Sequence, residues 1–123
     1  MFGYQKLEIY QLSKVLVKET YRIINGFPAF ENYGLSAQMS RSAISIPSNI
    51  AEGSGRSSKR DKMHYITIAY ASLLELSCQY EIAFEIGYIE NEELKVIETS
   101  LKDLAVKLTN FKRYLSENQA AKK

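Results

Sequence analysis

The run SAISIPSNIAEGSGR, residues 42–56, keeps helical spacing through a proline and then breaks on glycine. Leu35, Met39, Ala43, Ile46 and Ile50 recur at intervals of three and four, which predicts the apolar face of a helix over 35–53. Pro47 has no amide proton and its ring crowds the carbonyl of Ala43, so it bends this helix rather than ending it. Gln38, Arg41, Ser45, Ser48, Asn49 and Glu52 form a polar stripe beside the apolar face. Arg41, Ser45, Asn49 and Glu52, with Glu75 from a later segment, read as a structural polar network that fixes helix register. On a third side Ala37, Ile44 and Ala51 recur every seven residues, where small side chains admit a neighbouring backbone.

Gly53-Ser54-Gly55 invites comparison with phosphate-binding loops, but the spacing completes neither Gly-x-x-x-x-Gly-Lys-Ser/Thr nor Gly-x-Gly-x-x-Gly. The reading that remains is a corner: Gly53 as a left-handed helix end, then Ser57 or Ser58 as the cap of the next helix. Ser58-Lys59-Arg60-Asp61 has capping-box spacing, and an apolar face from Ile66 through Leu73, Leu76 and Tyr80 to Phe84 predicts a helix over 58–86 ended by Gly87. Its other side carries Ile68, Ala71, Ile82 and Ile86, more apolar surface than one core uses.

Working outward, Leu94, Ile97, Leu101, Leu104, Leu108, Phe111 and Leu115 form the seam of a helix over 91–117. Ile9, Leu12, Leu16, Thr20 and Ile23 mark a first helix over 5–25, stopped by Asn25-Gly26-Phe27-Pro28. No segment longer than five residues alternates with period two, so no sheet is expected. Four helices with short connections predict one all-α domain, 1–123, folded as a four-helix bundle.

Composition narrows the function classes. The single cysteine, Cys78, allows no internal disulfide and suits a reducing compartment. No apolar run reaches the roughly 18–20 residues of a membrane span, and residues 1–10 show no basic-then-apolar leader pattern, so a cytoplasmic location is expected. His64 and Cys78 each stand alone among their kind, which leaves no His/Cys metal cluster. With no nucleophile–base pair either, neither an enzyme nor a cofactor is expected. The formal charge is +2, but residues 1–62 hold nine Lys/Arg against five Asp/Glu, and 63–123 hold seven against nine. Arg56, Lys59, Arg60 and Lys62 concentrate the excess at a helix start, where free amides also favour anions.

The stretches YGLSAQMSRSAISIPSNIAEGSGR, 33–56, and IAYASLLELSCQYEIAFEIGYI, 68–89, together resemble the small proteins encoded in intervening sequences of bacterial 23S rRNA genes. The likeness runs from about Leu7 to Leu115, with Tyr10 standing where the family pattern has tryptophan. It implies an antiparallel up-down-up-down bundle that assembles into rings, notably pentamers. Related accessory subunits of diversity-generating retroelements bind nucleic acid through a basic ring surface. In such a ring Ala37, Ile44, Ala51, Ile68, Ala71, Ile82 and Ile86 would form the subunit interface. The expected function is therefore a non-enzymatic homo-oligomer that binds nucleic acid, RNA more than DNA, by phosphate contacts. Arg56, Lys59, Arg60 and Lys62 would supply the contacts, with Lys18 and Arg22 added if the first helix flanks them. The alternative is a protein-interaction adaptor that uses the apolar and tyrosine surfaces, which salt would not weaken.

Overall fold

Each predicted helix forms. In the computed structural model, which describes the backbone from Phe2 to Ala121 and side chains as far as Glu117, they are α1 (Glu8–Ile24), α2 (Leu35–Ser54), α3 (Lys59–Glu85) and α4 (Asn91–Ala121). Short 3-10 turns at Gly3–Lys6 and Ala29–Tyr33 complete the elements, and no strand occurs among the described residues. The 3-10 turn at Gly3–Lys6 is a departure from the expected helix over 5–25. Leu7 is extended, with φ −70° and ψ 133°, so the chain restarts as α1 at Glu8. The Gln5 side chain holds the Phe2 amide at 2.7 Å, and the Gln11 amide donates to the Gln5 carbonyl at 2.6 Å. At the other terminus α4 runs past residue 117 to Ala121.

Contacts fix the antiparallel order. Phe27, after α1, packs on Tyr88, before α4, with ring centroids 5.0 Å apart. At the far end the Lys59 ammonium, opening α3, reaches the Ser116 carbonyl late in α4 at 3.2 Å. Chain direction thus alternates up, down, up, down, and one core runs the length of the bundle. Met39, Ile46, Ile50, Leu76, Tyr80, Leu104 and Leu108 are fully buried in it. Six of the seven α4 seam residues are buried and Phe111 half so. On α1 the buried position is Ser13 rather than Leu12. Its hydroxyl donates to the Tyr10 carbonyl at 2.8 Å, which removes the cost of burying it. Thr20 and Tyr80 do the same for each other across the core at 2.7 Å.

α2 continues through Pro47, whose ring is buried. The corner that follows corrects the sequence reading at Gly53, which lies inside α2 and does not adopt positive φ. A Cβ there would stand 2.7 Å from the Cβ of Tyr65, so glycine is required by the close approach of α3. Ser58, not Ser57, caps α3 by accepting the Asp61 amide at 3.0 Å. Gly87 does end α3 in the left-handed region, at φ +89°. There Tyr88 N–H reaches the Ala83 carbonyl and Gly87 N–H the Phe84 carbonyl, the paired bonds of a Schellman close.

Candidate nucleic-acid interface

Because the helices alternate, distant pieces of sequence meet at each end. The start of the chain, the α2–α3 corner and late α4 share one end. Residues 2–8, 50–65 and 108–117 there hold seven bases, including Lys6, Lys112 and Arg113, against four acids. The opposite end, residues 20–40 and 78–98, holds Arg22 and Lys95 against seven glutamates. The bundle is therefore a charged dipole along its length, which the net charge of +2 conceals.

At the basic end Arg56 donates to the Tyr65 hydroxyl at 2.6 Å, with its guanidinium carbon 4.7 Å from that ring's centroid. Glu52 lies 3.4 Å from the same guanidinium, an exposed pair of little energetic weight. Lys59 is half-buried on the Ser116 carbonyl, Arg60 is exposed, and Lys62 lines an open cavity of about 520 Å³. Arg60 and Lys62 make no ion pair among the described residues, which leaves both charges to solvent or to an anion. Lys112 and Arg113 were missed as neighbours of this cluster, although up-down order alone places late α4 beside the start of α3.

Two of the bases proposed from sequence do not belong to the corner. Arg22 lies at the acidic end, bonded to Glu19 at 2.8 Å and 3.9 Å from Glu93. That hydrogen bond to Glu19 raises its already high pKa. Running α1 away from the corner moves Arg22 roughly 20 Å along the axis at 1.5 Å per residue. Lys18 lies on the flank, lining a groove between α1 and α2 with Lys14, Tyr10, Ile44 and Pro47.

The polar network divides in the same way. Ser45 and Ser72 share a hydrogen bond of 2.8 Å across α2 and α3, and Asn49 donates to the Ser45 hydroxyl at 2.9 Å and its carbonyl at 2.7 Å. Glu52 turns instead to Arg56, because one further turn along α2 places it at the corner. Arg41 and Glu75 face one polar concavity with Gln38, Ser42 and Ser45 but form no ion pair with each other. Of the surplus apolar residues, Ile44, Ala71, Ile82 and Ile86 are exposed and Ala37, Ala51 and Ile68 half-buried. Ile44 and Ala51 border the α1–α2 groove, whereas Ile82 and Ile86 lie along α3. Among the described residues no three His, Cys, Asp or Glu side chains converge to hold a metal ion.

The acidic end is closed by its own contacts. Glu31 accepts the Leu35 amide at 3.0 Å and the Tyr88 hydroxyl at 2.8 Å, which together hold its carboxyl below the usual range, and the bond to this carboxylate pushes the Tyr88 phenol up.

The architecture has a solved counterpart. A crystal structure of a protein of unknown function from the S23 ribosomal protein family of Bacteroides thetaiotaomicron VPI-5482 superposes with a TM-score of 0.76 at 20% identity. The match covers 85% of this chain and 97% of that one, and shows a shared fold. No curated protein matches the sequence. The family model of the 23S rRNA-intervening sequence protein matches residues 5–110, most of the bundle from the first 3-10 turn to late α4, and the chain belongs to that family.

Proposed function

We propose that this protein is a non-enzymatic, homo-oligomeric bundle of the cytoplasm that binds nucleic acid, RNA in preference to DNA, through its basic end. The carrying observation is the lengthwise separation of charge. Seven bases gather at one end, with Arg60 and Lys62 unpaired among the described residues, while seven glutamates gather at the other. A polyanion is attracted to the first and repelled by the second, so the field orients the encounter. The family's origin in rRNA genes supports RNA as the partner. No helix among the described residues is long and apolar enough to cross a membrane.

Self-association completes the reading. Ile44 on α2 and Ile82 and Ile86 at the end of α3 are 42–51% exposed, two apolar patches on different helices as a head-to-tail interface between copies requires. A ring, a pentamer by family resemblance, would repeat a modest basic patch and convert weak contacts into avidity.

The test is a titration of fluorescent RNA and DNA strands of equal length at several salt concentrations, with the protein's mass measured by light scattering. A log–log salt slope on the order of −3 is expected for four phosphates neutralised on a single strand. No binding at low salt would overturn the reading in favour of a protein adaptor.

A further inference from the structure

The cavity at the basic end is walled by side chains that phosphate contacts alone do not need. Phe2, Tyr4, Ile50, Ile66 and Phe111 line it, and Lys62 is the one charged side chain among the described lining residues. Its volume of about 520 Å³ lies within the roughly 300–1,000 Å³ of small-ligand sites. Phe2 is 75% exposed, yet its ring stacks on Tyr4 with centroids 6.2 Å apart and planes 19° from parallel. The Gln5 side chain accepts the Phe2 backbone N–H at 2.7 Å, which ties this stretch of chain beside the cavity it lines. Arg56, Arg60 and Lys62 approach the same end from the corner.

We propose that this cavity receives an unstacked nucleobase, so that the protein selects single-stranded nucleic acid with a base free to leave its stack. The inference rests on the nucleic-acid reading above and adds what part of the polymer is gripped. Free bases stack on aromatic side chains whatever their identity, while neighbouring cations hold the flanking phosphates. Aromatic walls and a lysine with no ion pair among the described residues occur here in one opening, which matches both halves of a nucleotide. An apolar peptide segment would fill the walls but leave Arg60 and Lys62 unanswered. A duplex presents phosphates but no free base face.

The experiment compares a single-stranded RNA oligomer with the same strand carrying abasic positions, by fluorescence anisotropy at several salt concentrations. Both are titrated with the unaltered protein and with Phe2→Ala and Tyr4→Ala, each checked for an unchanged helical circular dichroism signal. Phe2 is so exposed that its variant tests the idea even if Tyr4→Ala disturbs the fold. The intact strand is expected to bind roughly tenfold or more tightly than the abasic one. Phe2→Ala should shrink that preference and leave the salt slope alone. Equal binding of the two strands with a steep salt slope would overturn the cavity assignment and leave phosphate binding standing. Binding of neither strand would remove the nucleic-acid reading itself, and this inference with it.

Discussion

The two ends of the bundle are built from the same four helices and finished in opposite ways. At the acidic end Phe27 packs on Tyr88, Tyr88 bonds Glu31, Glu31 caps Leu35, and Arg22 is held by Glu19 and Glu93. These groups satisfy one another, while the buried Ser36 hydroxyl and Gln79 side-chain oxygen at the same end find no hydrogen-bond partner among the described residues. At the basic end an apolar cavity opens between Phe2, Ile50 and Phe111, and Arg60 and Lys62 have no carboxylate partner among the described residues. The contrast separates a closure that holds the fold from a surface that is left unfinished. An unfinished end is where a partner finds both charge and space.

The largest effect should come from erasing the electrostatic half of that contrast. The triple variant Arg56→Glu, Arg60→Glu, Lys62→Glu should bind single-stranded RNA at least a hundredfold more weakly. Its salt slope should be smaller by about two, since each base matched to a phosphate contributes about 0.7. The reverse change at the far end, Glu85→Lys with Glu92→Lys, should cost no affinity. Anisotropy titrations on both variants decide the matter, and an equal loss in the two would dissolve the distinction between the ends.

Next come two glycines that serve different ends for different reasons. Gly53→Ala drives a methyl group to 2.7 Å from the Tyr65 Cβ, an atom too near its own backbone to swing aside. Overpacking of this kind should cost about 2–3 kcal/mol. Gly87→Ala meets nothing within 4 Å and is penalised only for its φ of +89°, by about 1 kcal/mol. Urea denaturation of both variants should rank them in that order.

That pair also shows what the sequence makes legible. Helix existence and the α4 seam followed from spacing, because apolar periodicity is a property of each segment by itself. Gly87 was readable for the same reason, being a local end. Gly53 was not, because its need arises from α3 crossing over it, and composition showed only a glycine-rich corner. Arg22 joins the corner only if the first helix flanks it, and the expected up-down order already puts the end of α1 at the opposite end of the bundle. Glu52 was assigned to the Arg41 stripe because helical spacing names a face but not the partner at its end. The cavity draws on the chain start, the α2–α3 corner and late α4, three segments that only the folded order unites.

A smaller effect tests how the acidic half is held together. Burial pushes the Tyr80 hydroxyl up to about 12 while it shares its hydrogen bond with Thr20. Tyr80→Phe leaves Thr20 without that partner and should cost about 1 kcal/mol. In the unaltered protein the unfolded chain ionises this tyrosine near its ordinary value of 10, while the folded chain keeps its proton to higher pH. Stability is thus complete below about pH 10 and falls as pH rises toward 12. Denaturation curves across that range should show a steeper alkaline loss for the unaltered protein than for Tyr80→Phe.

The smallest effect, and the one whose sign is most informative, belongs to Glu31. The Leu35 amide and the Tyr88 hydroxyl both donate to its carboxylate, so the charged form is favoured by folding and its pKa is lowered. A lowered pKa means the unfolded chain takes up a proton first as pH falls. The stabilisation is present above the ordinary value of 4.5 and is lost as pH drops through the depressed folded value. Glu31→Gln should therefore lower the melting temperature slightly at neutral pH, and the difference should shrink on acidification. A difference that stays constant or grows on acidification would show that the two hydrogen bonds do not favour the charged carboxyl.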